Sequence, residues 1–198
     1  RLLAGFKTDF VNGAKEQKID EKIAIEIFEL LEKFASYGFN KSHSAAYAMI
    51  AYQTAWLKSY YPAEYYAANL SSDTTDTDRV VRLFDDAKKY NINILPPDVN
   101  LSFPDFRVID DRTISYGLAA IKNVGYKAAE DIADYRVDNA DYTTIFDLCK
   151  IGSNSVNKKT LESLILSGAC DNVEGHRAQQ FESIEKTIRF GQLYNQNG

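Results

Sequence analysis

The chain has 198 residues, 45% hydrophobic and 13% aromatic, with a formal net charge of -5. That size suits one large or two small domains with a real core, and the apolar content excludes a disordered chain. The acidic balance excludes a strongly basic, self-sufficient nucleic-acid binder, so contacts with nucleic acid would come from local patches.

The elements follow in chain order. Asp20 can cap a helix whose apolar residues Ile23, Ile27, Leu30, Leu31 and Phe34 recur at helical spacing, as on an inward face. Tyr37-Gly38-Phe39-Asn40 breaks it, and a second helix runs from about Ser42 to Tyr60, ending near Pro62. A short helix after Pro62 would bury Tyr65, Tyr66 and Leu70. The polar run SSDTTDTD then leads into a helix from Arg79 to Tyr90, with Val80, Val81, Leu83, Phe84 and Ala87 inward. Ile92 to Leu95 reads as a short strand, and Pro96-Pro97-Asp98 forbids helix. Phe106 to Ile109 and Thr113 to Tyr116, joined by Asp110-Asp111-Arg112, read as a small hairpin. A domain boundary is expected at about residue 100. Helical patterning returns at Leu118 to Lys122, Tyr126 to Arg136, Thr144 to Lys150, Asn157 to Leu166, and about Gly175 to Leu193. The expected fold class is mainly α.

The helix after Asn40 is the first candidate site. Lys41-Ser42-His43-Ser44 open it, and the run from Ala45 to Leu57 is apolar or aromatic except at Gln53 and Thr54. Thirteen residues are too few to span a bilayer, which needs about 20. At about 100° per residue, His43, Tyr47, Ala51, Thr54 and Lys58 share one face. Ala45, Met49, Tyr52, Trp56 and Tyr60 form an opposite strip that calls for a core. A helix N-terminus flanked by Lys41 and His43 suits a phosphate. The plainer alternative is that Ser42 or Ser44 merely caps the helix and Lys41 is a solvated charge. Adjacent Ser42, His43 and Ser44 do not face one another on a helix, so a serine hydrolase is not indicated.

The second candidate is Ile121-Lys122-Asn123-Val124-Gly125-Tyr126-Lys127-Ala128-Ala129. A short helix, a tight turn with glycine and a helix opening on small residues form the pattern of helix-hairpin-helix DNA-binding modules. Gly125 keeps the turn bare, so its N–H groups and the next helix N-terminus can meet a phosphate, with Lys122 and Lys127 beside it. Asn123 stands where such motifs usually carry glycine, and asparagine tolerates a left-handed conformation. An ordinary helical turn is the alternative. A degenerate second copy follows, with Lys158 and Lys159 opening one helix and His176-Arg177 another across the acidic SGACDNVEG. It reads mainly as a structural partner. Cys149 and Cys170 are too few for a disulfide framework, and with His176 they match no zinc spacing.

KFASYGFNKSHSAAYAMIAYQTAWLKSYYPAEYYAANL closely resembles the fingers region of the C-family replicative DNA polymerases, the bacterial DNA polymerase III alpha subunits. The resemblance continues through ILPPDVN, YGLAAIKNVG and FDLC…VNKKTLESLILSGACD, in order, across essentially the whole chain. It implies residues 1–100 as the C-terminal part of the fingers, 101–116 as connecting strands, and 117–198 as a tandem helix-hairpin-helix domain. It further implies that Lys41 and His43 hold the incoming deoxynucleoside triphosphate, with Ser42, Tyr47 and Gln53 as supporting residues. Lys122, Asn123, Val124, Gly125 and Lys127, with Lys158 and Lys159, would contact duplex DNA.

Polymerisation requires carboxylates holding two magnesium ions, which this family carries in a palm upstream of the fingers. Asp85-Asp86 and Asp110-Asp111 read instead as a solvated helix face and a turn, so no catalytic residue or metal site is assigned. The first residue is Arg1 and the last residues are NQNG, which reads as an excerpt of something longer; GQLYNQ is too unlike a clamp-binding peptide to claim. The sliding clamp and other replicase subunits would be met through other regions. With no secretory signal and no long apolar span, the expected compartment is the cytoplasm, with no membrane partner. Two other readings remain: a non-catalytic helix-hairpin-helix module of repair or recombination, and a helical adaptor that binds only protein.

Overall fold

A computed structural model of the chain describes residues 2–37, 41–74, 76–152 and 155–197. The described residues form ten α-helices and one small three-stranded sheet, so the fold is mainly α. They divide into two compact units, Arg1–Gln53 and Thr54–Gly198, with the division falling inside the third helix.

The first unit opens with α1 (Leu2–Glu16). It ends in a Schellman motif: Lys18 has φ 60°, Ile19 N donates to Ala14 O and Lys18 N to Lys15 O. Asp20 then caps α2 (Glu21–Tyr37), its Oδ1 accepting from Lys22 N at 2.8 Å. The two helices pack through Ala24 and Phe28, with the Phe10 and Phe28 rings 5.6 Å apart and a Lys7–Glu29 ion pair at 3.1 Å. This corrects the expected inward face. Ile23, Ile27, Leu30, Leu31 and Phe34 are exposed, because the α1 contact uses the neighbouring stripe. Gly38, Phe39 and Asn40 of the expected break lie outside the described residues.

The long helix α3 (Lys41–Tyr60) has no buried residue. Met49, Tyr52, Trp56 and Tyr60 are exposed, so the strip expected to be a core face is not one here. Helical spacing creates an apolar face, but burial needs a second surface against it.

The second unit has two cores. In the first, α4 (Pro62–Ser72) starts on Pro62 and buries Ala63, Tyr66, Ala67 and Leu70. Helix α5 (Thr77–Lys89) is capped by Asp76, whose carboxylate accepts from Arg79 N at 3.1 Å. Tyr65 is half-buried, and Val81, expected inward, is exposed. Strands β1 (Asn93–Ile94), β2 (Arg107–Asp110) and β3 (Thr113–Ser115) pair in the order β1-β3-β2, parallel then antiparallel. Lys58, in the last turns of α3, ion-pairs with Asp86, which also accepts from the Tyr66 hydroxyl at 2.7 Å. That joins α3, α4 and α5.

The second core gathers Leu118, Val124, Ile132, Leu148, Leu161, Leu164 and Ile165, all nearly inaccessible. A 3-10 turn (Leu118–Ala120) precedes α6 (Tyr126–Asp138); α7 (Ile145–Leu148), α8 (Lys158–Ser167), α9 (Arg177–Glu182) and α10 (Ile184–Asn197) follow. The single helix expected from Gly175 to Leu193 is thus two, parted at Ser183. The segment after β1 is stitched to this core. Val99 N donates to Ala169 O, and the Arg136 guanidinium donates to Val99 O and Ser102 O. No helix among the described residues is long and apolar enough to cross a membrane.

Candidate nucleotide and nucleic-acid interfaces

Lys41, Ser42, His43 and Ser44 form the first turn of α3, which holds no acidic residue. Lys41, Ser42 and His43 are exposed, and the His43 ring lies against Tyr47, one turn on, with centroids 4.2 Å apart. Four of the five expected nucleotide residues therefore occupy two adjacent turns. Gln53 lies ten residues beyond His43, about 15 Å along the axis, and is not brought to the same place. The positive helix end, a lysine and a histidine suit an anionic group.

The hairpin is built differently. Val124 N donates to Ile121 O at 3.0 Å, closing a turn in which Asn123 has φ 67°. Positive φ at the third turn position is the type II arrangement that usually calls for glycine or asparagine. Asn123 is also a tether: its Nδ2 donates to Ser163 Oγ at 3.1 Å, and its carbonyl accepts from Thr160 Oγ1 at 3.4 Å. Both partners lie on α8, so the second helix pair holds the first hairpin in place. Val124 is buried beneath the turn.

Gly125 is the N-cap of α6 and supplies no capping side chain, and the first turn holds no acid. Its dihedrals, φ -71° and ψ 156°, suit any residue, and an added Cβ would meet nothing within 4 Å. Neither the backbone nor the packing demands a glycine. What its missing side chain provides is open access to the N-terminus of a 13-residue helix.

Lys122 is exposed at the turn. Lys127 is exposed too, but its amine holds Asp131 at 2.9 Å and Glu130 at 3.0 Å, and these carboxylates push its pKa up. Tyr126 donates its hydroxyl to Asp105 Oδ2 at 2.9 Å. On α8, Lys158 pairs with Glu185 at 3.0 Å and Lys159 is exposed. Asn157 already caps that helix by accepting from Thr160 N. In the second hairpin Arg177 grips Asp171 through two hydrogen bonds, and His176 caps α9 by accepting from Gln179 N. The Arg177 charge is thus taken up within the fold.

The supporting contacts of Thr160, Ser163 and Asp105 were not read from the sequence. Partners 37 and 40 residues away from Asn123 leave no local signal.

The acidic pairs do not fit a magnesium site. Asp86 is taken by Lys58 and Tyr66, Asp85 pairs with Lys88, and Asp110 Oδ1 accepts from Arg112 N. Among the described residues no three His, Cys, Asp or Glu gather as metal ligands.

The comparisons agree with the resemblance in the sequence. A helix-hairpin-helix motif family matches residues 91–180. The chain is 44% identical over 94% of its length to the DNA polymerase III subunit alpha of Vibrio cholerae. It is 45% identical over 90% of its length to that of Buchnera aphidicola from Acyrthosiphon pisum, and 43% over 94% to that of Escherichia coli K12. It spans 16% of the length of each of these relatives.

Proposed function

We propose that this chain is the segment of a bacterial DNA polymerase III alpha subunit that orients the incoming nucleotide and grips the duplex during template-directed DNA synthesis. Residues 1–100 serve as the C-terminal part of the fingers, 101–116 connect, and 117–198 are the tandem helix-hairpin-helix domain. The observation that carries the duplex reading is Gly125, a glycine that nothing inside the fold requires, at the open N-terminus of α6. Lys122 and Lys127 add charge there. At the head of α3, Lys41 and His43 hold the triphosphate, with Ser42 and Tyr47 in support; Gln53 acts further along the helix.

The chain supplies binding and no catalytic carboxylates. The magnesium ions belong to a palm elsewhere in the longer polymerase, as do contacts with the sliding clamp and other replicase subunits. The compartment is the cytoplasm. Two measurements test this reading. The chain should bind duplex DNA without sequence preference and with affinity that falls as salt rises; equal affinity at low and high salt would refute it. Lys41→Ala in the full-length polymerase should raise the nucleotide KM or lower kcat/KM with duplex affinity unchanged, and normal nucleotide kinetics would remove α3 from the assignment.

A further inference from the structure

Two guanidinium groups converge on one aromatic ring. Arg107 Cζ lies 3.6 Å from the centroid of Phe103, a stacking distance, and Arg136 Cζ lies 4.9 Å from it. Arg136 is turned inward, donating to Val99 O at 2.7 Å and Ser102 O at 3.0 Å. Arg107 is exposed, and among the described residues no carboxylate lies within ion-pair distance of it. Lys127, Lys150, Lys158 and Arg177, by contrast, each hold an acid.

The fold fixes where this free cation stands. Leu118 N donates to Phe103 O at 2.8 Å and Ala119 N to Pro104 O at 3.1 Å. Gly117 lies so close to this segment that a Cβ would be 2.8 Å from Pro104 O and Phe106 N. The stretch from Phe103 to Arg107 is thereby laid against the start of the hairpin. On the other side, the Tyr126 hydroxyl bonds Asp105, two residues before Arg107. Arg107 is near enough to counter part of the upward shift that Asp105 imposes on that hydroxyl. A residue outside the hairpin thus stands along α6, sharing the Phe103 ring with Arg136 of its last turn and acting on the Tyr126 hydroxyl of its first.

We propose that Arg107, held by its stack on Phe103, binds a second backbone phosphate of the duplex that α6 receives. This rests on the duplex reading of Gly125. The stacked guanidinium has already lost part of its rotamer freedom, and its remaining N–H edges match a phosphate's oxygens. The contact is with the backbone and carries no sequence preference.

The test titrates the 198-residue chain and the variants R107Q, R107K, F103L and K122Q against a labelled duplex across a salt series, with thermal melts alongside. R107Q should reduce the slope of log affinity against log salt by about 0.9 and weaken low-salt binding by about tenfold. F103L keeps the charge, so it should keep the slope and lose affinity several-fold. If R107Q melts early, R107K decides: it should retain the slope and bind more weakly, and wild-type affinity would overturn the proposal. R107Q with wild-type slope and affinity, while K122Q loses both, removes Arg107 alone. Wild-type behaviour of both R107Q and K122Q removes the duplex reading itself, and this inference with it.

Discussion

Two glycines in the helix-hairpin-helix region should respond oppositely to the same change. At Gly125 an added methyl meets nothing within 4 Å and φ is -71°, so Gly125→Ala introduces no strain. The variant gains about 0.4–1 kcal/mol from the stiffer unfolded chain. It loses a comparable amount because alanine is a poorer N-cap than glycine. Net stability should stay within about 1 kcal/mol of the parent, a melting shift of no more than about 2–4 °C for a domain of this size. Binding should suffer instead, because the methyl projects where a phosphate must approach the N–H groups. Losing one charge-assisted hydrogen bond costs about 1.5–3 kcal/mol, roughly 10- to 150-fold in duplex affinity. At Gly117 the methyl would sit 2.8 Å from Pro104 O and Phe106 N and 2.9 Å from Asp105 C. Gly117→Ala must push backbone aside and should cost about 1–3 kcal/mol of stability. Thermal melts followed by titration of labelled duplex separate the two effects. Gly125→Ala with parental melting and parental affinity would refute the argument that the bare turn exists for a ligand.

Two further outcomes concern the core of the second unit. Burial would raise the Asp147 carboxyl, but Lys150 at 2.7 Å and the N–H and hydroxyl groups of Thr143 and Thr144 outweigh it and hold the pKa well below the usual range. A depressed carboxylate stabilises the fold above its unfolded pKa of about 3.9, and that contribution is lost as pH falls below it. Asp147 completes the capping box that Thr144 opens at α7, so Asp147→Asn should cost about 1–2 kcal/mol at neutral pH and flatten the acid limb of melting temperature against pH; an unchanged acid limb would count against this role. Burial pushes the Cys149 thiol to about 11 and the Cys170 thiol to about 12. At pH 8 roughly one Cys149 in a thousand is thiolate, so native chain should resist alkylation until it unfolds. Rapid labelling of folded chain would contradict this burial.

Local chemistry was legible in the sequence where one segment decides the outcome. Asp20 caps its helix, Pro62 starts one, and the hairpin at Asp110–Arg112 forms because short-range turn preferences suffice. Tertiary burial was not legible. The period of Ile23, Ile27, Leu30, Leu31 and Phe34 defines a face, yet Ala24 and Phe28 meet α1 instead. The same holds for α3, whose Trp56 and Tyr60 stay exposed. At the hairpin, the turn pattern singles out Lys122, Asn123, Gly125 and Lys127, and the family resemblance adds Val124. Spacing could not tell that Asn123 is bonded to α8, that Lys127 is shared with two acids, or that Arg107 stacks nearby. These depend on pairs far apart in the chain.

Charge then limits how tightly such a surface can hold DNA. Lys127, Lys150, Lys158 and Arg177 are each neutralised by a carboxylate within the fold, which suits a net charge of -5. Counting Lys122, Arg107 and a share of Lys127 alone, the hairpin would serve about two or three phosphates; Lys159, exposed beside the Thr160 that bonds Asn123, would add one more. With a slope of about -0.9 per phosphate, affinity should fall roughly 12- to 40-fold between about 50 and 200 mM salt. A protein making 6–10 phosphate contacts loses about a thousand- to a hundred-thousandfold over that range. Weak, shallow salt dependence is therefore what the hairpin should give alone. Backbone N–H groups at α6 add local attraction without adding net charge, which is how an acidic chain can meet a polyanion at all. Under the proposed function, an interface this small would position a duplex better than it would capture one, a division of labour that suits a segment spanning 16% of the length of the relatives it matches.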